Sequence, residues 1–260
     1  MVPVEIGFSV LGGLRMTVDG AVHEPRGPKV NSLLAVLLLR LGRTVDVGSL
    51  VDELWEDDPP RRPVTTLRTH VYHLRRFLGG AAGRRGEELL ATRRSGYLLR
   101  AEPHRLDSEV FTRMAGTGRA LLGQGRHAEA ARNARAALEL WRGRPLENAS
   151  AGPLLRGQAR RLDELRLQVV EQRIEAEMRL GAHRELVSEL RGLVSDHPLN
   201  EWFHARLIEA LERSGRRADA VRAFHELCAV LDAELGVGPS EELRGLHHRI
   251  LTGAPSPRAA

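Results

Sequence analysis

The chain has 260 residues, of which 42% are hydrophobic, 28% charged and 4% aromatic, and it carries a formal net charge of +5. That is ordinary globular usage at a length favouring two domains over one, which excludes a disordered chain. The longest apolar run, Leu33 to Leu39, falls far short of the roughly 20 residues needed to span a bilayer, and the opening MVPVEIGF lacks the basic start of a secretion signal.

Val4–Leu11 and Leu14–Val18 read as strands around Gly12-Gly13, and Asp19-Gly20 is a two-residue hairpin signal before a third strand at Ala21–His23. Pro28 suits the first turn of a helix reaching about Leu41, apolar nearly all round and therefore central. Ser49 is the expected N-cap of a short helix through Trp55, and Asp57-Asp58-Pro59-Pro60 the turn after it. The next helix runs from about Val64 to Leu78, where Leu67, Val71, Leu74 and Leu78 form one narrow apolar stripe. Its opposite face carries Thr65, Thr69, Tyr72, His73 and Arg76, flanked by Arg68 and Arg75. Arginine together with Thr, Tyr and His hydrogen-bonders on an exposed helix face suits the major groove of DNA. Gly79-Gly80 is expected to open a loop, and Glu88–Thr92 and Tyr97–Arg100 to pair around the basic tip Arg93-Arg94-Ser95-Gly96. Helix, helix, basic helix, basic hairpin is the order of a winged helix-turn-helix, with the third helix in the groove and the wing on nearby phosphate.

The charge distribution agrees with that order. Residues 1–60 hold five basic and nine acidic side chains, whereas residues 61–100 hold ten arginines against Glu87 and Glu88 alone. The remainder is nearly neutral, with 24 basic and 23 acidic groups. A forty-residue block at +8 is a footprint for a polyanion. High genomic GC content would inflate arginine everywhere, and Lys29 is the only lysine, but that bias does not remove acids from one block.

From residue 101 the pattern is helical. Gly125, Gly181 and Gly215 each follow a small or apolar helix end and precede an acidic, apolar restart. The last two lie 34 residues apart, the tetratricopeptide period; the first two lie 56 apart, with an insertion containing Trp141-Arg-Gly-Arg-Pro145 and the loop Glu147–Pro153. The tail Gly253–Ala260, with Pro255 and Pro257, is expected to be disordered.

No catalytic constellation stands out. Gly27-Pro28-Lys29 does not meet a phosphate-loop pattern, His70 and His73 lack a further ligand at metal spacing, and His247-His248 reads as surface. Cys228 shares a stripe with Phe224 and Leu231 and reads as a core thiol, while its being the single cysteine fits a reducing cytoplasm. Trp55, Trp141 and Trp202 read as packing anchors at helix ends. Neither enzymatic activity, metal nor cofactor is expected.

The segments FSVLGGLRMTVDG, GPKVNSLLAVLLLRLGRTVDVGSLVDELWEDDPP, TTLRTHVYHLRRFLG and TRRSGYLL resemble an OmpR/PhoB-type winged helix. LDSEVF, ALELWRGRPL, RLDELRLQVVEQRIEAEMRLGAHRELVSELRGLVSDHPLNE and LDAELGVGPSEEL are similar to a bacterial transcriptional activation domain. Together, over about residues 4–251, they resemble the SARP family of actinobacterial antibiotic regulatory proteins. The resemblance implies a multidomain α+β and all-α fold, a winged helix-turn-helix over residues 1–100 followed by a tetratricopeptide-like domain over 101–252. No receiver domain is expected ahead of it.

The family implies a cytoplasmic activator of a secondary-metabolite gene cluster. It would bind double-stranded promoter DNA at direct repeats near the −35 element, recruit RNA polymerase holoenzyme, and allow a dimer on DNA, with no membrane partner. By motif match the DNA-contacting helix is Thr65–Arg76, so Thr65, Thr69, Tyr72, His73 and Arg76 are the base-contacting candidates. Arg68, Arg75, Arg93 and Arg94 are the phosphate-contacting candidates. Tyr72 and His73 stand where relatives commonly carry Ser or Arg, so the operator does not transfer. The alternative is a tetratricopeptide adaptor whose winged helix docks protein; the arginine block is unneeded for that role. Residues 1–100 are expected to fold alone.

Overall fold

A computed structural model describes residues 5–252; the expected strand start at Val4 and the tail from Gly253 lie outside them. The chain divides into two compact units, Met1–Arg173 and Ile174–Ala260.

The first unit opens with an antiparallel sheet of β1 (Ile6–Ser9), β2 (Arg15–Val18) and β3 (Ala21–His23), in that order. Asp19 and Gly20 both take positive φ, 49° and 85°, as a tight hairpin turn demands. Helix α1 (Pro28–Leu39) is buried continuously from Val30 to Leu38, in line with its apolar circumference. Helices α2 (Val47–Trp55) and α3 (Pro63–Leu89) pack against it. A second sheet, ordered β4-β6-β5, joins β4 (Val45–Asp46) to the wing strands β5 (Leu90–Thr92) and β6 (Gly96–Leu99).

Two local expectations need correction. Asp46, not Ser49, caps α2: its carboxylate accepts from the Ser49 backbone N–H at 2.8 Å and hydroxyl at 2.6 Å. Those bonds, the hydroxyl's first, hold the Asp46 carboxyl below its ordinary range. The loop expected after Gly79-Gly80 is helical; only Ala82 and Gly83 leave helical geometry, and the chain then returns along itself to Leu89. The glycines serve this close return. A Cβ on Gly86 would lie 1.9 Å from the Leu78 carbonyl oxygen, and one on Gly79 2.9 Å from Glu87.

After a 3-10 turn (Pro103–Arg105), α4 (Asp107–Gly123) and α5 (His127–Leu138) form a helical hairpin, followed by α6 (Pro153–Arg179), whose end passes into the second unit. This hairpin and the winged-helix segment share one unit. Leu106, Leu146 and Leu155 are buried in the same core as Leu33, Leu37, Leu67 and Leu74, while Leu11 is buried with Phe111, Trp141 and Val169. Buried Asp107 accepts the Val10 N–H at 2.8 Å and the Leu11 N–H at 3.2 Å, and pairs with Arg142 at 2.6 Å. Asn148 accepts from the Leu14 N–H at 2.7 Å, and Ser32 donates to the Ser150 carbonyl at 2.6 Å. The insertion noted between the first two glycine turns is therefore the strap that binds the two segments. Residues 1–100 would lack these partners, so the structure argues against their folding alone.

The second unit holds α7 (His183–Asp196), α8 (Glu201–Arg213), α9 (Arg217–Leu235) and α10 (Glu241–Thr252). The glycines of the sequence repeat share one turn: Gly125, Gly181 and Gly215 have φ of 71°, 87° and 77°. After each, the next N–H reaches a carbonyl five residues back: Arg126 to Leu121, Ala182 to Glu177, Arg216 to Leu211. His247 departs from its surface reading. It stacks on Phe224 with ring centroids 3.9 Å apart, and burial lowers its pKa. Cys228 is half-buried beside buried Phe224 and Leu227 rather than enclosed.

Candidate nucleic-acid interface

Helix α3 presents one face inward and one outward. Leu67, Val71, Leu74 and Leu78 are all buried, which fixes the helix roll. With that stripe inward, a period of 3.6 residues turns Thr65, Arg68, Thr69, Tyr72, His73 and Arg76 to solvent, and each is exposed. Tyr72 is 60% exposed, unusual for so large a ring, and meets His73 edge to face at 5.6 Å. Thr69 donates its hydroxyl to the Thr65 carbonyl at 3.3 Å, leaving its methyl and oxygen lone pairs outward.

His70 differs from its neighbour. It is half-buried, its ring 5.9 Å from that of Trp55 on α2, and burial lowers its pKa, followed by the charges of His73 and Lys29. It belongs to the α2–α3 contact. Among the described residues, no three His, Cys, Asp or Glu side chains gather as a metal site.

The wing completes the surface. Arg93 and Gly96 exchange backbone hydrogen bonds of 2.8 and 3.3 Å, closing a two-residue turn with Arg94 and Ser95 at its exposed tip. Gly96 passes so close to β4 that a Cβ would lie 1.9 Å from the Val45 carbonyl oxygen, so only glycine fits there. Arg75 ties helix to wing, its Nη2 donating to the Thr92 hydroxyl at 2.6 Å. Sequence reasoning gave Arg75 an outward role and missed this latch, because Thr92 lies 17 residues away.

Several arginines of this surface stand without counter-charge, unlike some elsewhere in the unit. Arg68, Arg76, Arg93 and Arg94 have no carboxylate partner among the described residues, whereas Arg126, Arg142 and Arg156 pair with Glu129, Asp107 and Glu56. Arg61 and Arg62, exposed just before Pro63 opens α3, extend the basic surface and were not singled out from sequence. An exposed helix face with unpaired arginines, latched to a basic hairpin, is able to hold polyanion backbone at several points while offering hydrogen-bonding side chains to base edges.

Helix α2 is held from behind. Buried Glu53 accepts the Leu154 and Leu155 N–H groups at the start of α6, at 2.7 and 3.0 Å. Glu56 pairs with Arg156 through two bonds of 2.8 and 2.9 Å, which hold the Glu56 carboxyl below its usual range. Helix α2, which packs against α3, is thus anchored to the start of α6.

Comparison with known proteins places these features in a family. The family model described as bacterial transcriptional activator domain matches residues 106–251, and that described as transcriptional regulatory protein, C terminal, matches residues 25–99. The chain is 38% identical to regulatory protein DnrI of Streptomyces peucetius, covering 95% of this chain and 93% of that one. It is 34% identical to transcriptional regulator RedD of Streptomyces coelicolor, over 96% of this chain and 71% of that protein. Regulatory protein AfsR of Streptomyces griseus is 36% identical, but the chain spans only 24% of its length. The solved structure of Mycobacterium tuberculosis EmbR in complex with a low affinity phosphopeptide superposes with a TM-score of 0.91 at 32% identity, covering 98% of this chain and 67% of that one.

Proposed function

Because the chain belongs to the SARP family of transcriptional regulators, we propose that it is a sequence-specific DNA-binding activator of a secondary-metabolite, antibiotic gene cluster. The observation that carries this reading is the outward face of α3, where Thr65, Thr69, Tyr72, His73 and Arg76 are all exposed beside unpaired arginines. In this reading those five meet base edges in the major groove. Arg68, Arg93 and Arg94 neutralise phosphates, and Arg75 does so with the N–H groups its bond to Thr92 leaves free. The first turn of α3, opened by Pro63, adds backbone N–H groups and the positive end of the helix dipole.

Residues 1–100 supply the DNA contacts and residues 101–252 the surface that recruits RNA polymerase holoenzyme, in the cytoplasm. Two copies on direct repeats near a −35 element would place that surface beside the polymerase. The experiment is a footprint of the full chain on the promoters of its neighbouring genes, followed by a salt titration on the protected site. The expected outcome is a repeated protected half-site and a steep fall of affinity with salt. Salt-independent binding, or binding to protein partners alone, would refute it.

A further inference from the structure

Within the first unit, away from the outward face of α3, a cavity of about 420 Å³ opens among the end of α1, the loop before β4, the start of α4 and the middle of α6. Arg40 and Arg43, joined in the turn that ends α1, and Arg161 of α6 line it. None of the three guanidinium groups has a hydrogen-bond or ion-pair partner among the described residues, and Glu109 is the only carboxylate in the lining. All three side chains are exposed, and a cleft concentrates the field of the like charges that line it. Ser108 and Glu109 in the first turn of α4 also line the cavity, that turn already carrying the carboxylates of Asp107 and Glu109. The remaining wall includes Leu41, Leu162 and Leu165, which suit a carbon body.

We propose that this cavity binds a small phosphate monoester, its dianionic phosphate held by Arg40, Arg43 and Arg161 and its organic part laid on the leucines. Planar guanidinium forks match phosphate oxygens two at a time, which favours phosphate over a diffuse anion. The volume lies in the range of about 300–1,000 Å³ typical of small-molecule sites. The loop that carries Arg43 also touches the wing, since Gly42 donates to the Leu99 carbonyl of β6 at 3.4 Å. The inference is independent of the DNA-binding reading.

The test is calorimetric titration of the full chain with phenyl phosphate, glucose 6-phosphate, adenosine 5′-monophosphate and inorganic phosphate. At least one ester should bind with Kd below about 1 mM and about tenfold tighter than inorganic phosphate. Arg43→Ala and Arg161→Ala should each weaken that ester about tenfold, while Arg76→Ala leaves it unchanged. Both mutated side chains are exposed and unpaired, so the variants should melt with the parent. The proposal fails if no ester binds, or if binding survives the double variant Arg43→Ala/Arg161→Ala. It fails equally if a 20-base-pair duplex displaces the ester and Arg161→Ala weakens the duplex alike, for the arginines would then be holding DNA backbone.

Discussion

Replacing Glu53 by alanine tests how the DNA-facing helices are supported. Its carboxylate, 4% exposed, accepts two backbone N–H groups at the start of α6, at 2.7 and 3.0 Å, and is the ion that end of the helix dipole favours. Hydrogen bonds to a charged group contribute about 1.5–3 kcal/mol each, and part of the loss is recovered where water reaches the freed N–H groups. We expect Glu53→Ala to cost about 3 kcal/mol. Glu53→Gln, which keeps one accepting oxygen without the charge, should cost about half of that. At a urea slope of about 2 kcal/mol per molar, the alanine variant should unfold about 1.5 M earlier, followed by far-UV circular dichroism of the full chain. Asp52→Ala, one position away but exposed, is the control and should change stability by less than about 0.5 kcal/mol. The salt slope of DNA binding should be the same in all three, because Glu53 touches α6 and not the outward face. A Glu53→Ala midpoint indistinguishable from that of Asp52→Ala would refute the reasoning.

Arg76→Ala and Thr69→Ala should weaken the specific site more than random DNA, each by about 1–3 kcal/mol of discrimination in competition binding. Equal losses on both DNAs would move these residues to the phosphate class. Arg94→Ala at the wing tip should lower the log–log salt slope by about 1 and weaken all sequences alike. An unchanged slope with altered base preference would make the wing a reader of sequence. A fragment of residues 1–173 should unfold cooperatively, whereas residues 1–100, deprived of Asp107 beneath the Val10 and Leu11 N–H groups, should exchange their amides at nearly unprotected rates. Acid should weaken the fold through His204, 3% exposed, whose pKa is lowered chiefly by burial. Its folded pKa lies below the unfolded value of about 6.5. Above that value both states are neutral; as pH falls below it, the unfolded chain takes up a proton the folded one refuses, and stability drops. His204→Gln should flatten the pH dependence of the melting temperature below 6.5, and an unchanged dependence would count against His204 as its source.

The features legible in the sequence are those set by near neighbours along the chain. The stripe Leu67, Val71, Leu74 and Leu78 determined which face of α3 is buried, and hence that Thr65, Thr69, Tyr72, His73 and Arg76 point outward, because a helix repeats every 3.6 residues whatever it packs against. Asp19-Gly20 and the glycines at 125, 181 and 215 marked turns because left-handed backbone favours them, and all five residues have positive φ. The tertiary structure decided the rest. Glycine signals two needs, a turn and a close approach, and a single sequence does not distinguish them; Gly79 and Gly86 serve the second, so an expected loop is helix. Nothing near Glu53, Asp107 or Asn148 in sequence shows that their partners lie about a hundred residues away or more. Those bonds depend on which segments the core brings together. They make the strap around residues 141–155 part of the unit that carries the winged helix, so the compact unit closes at Arg173, well beyond the last strand of the wing.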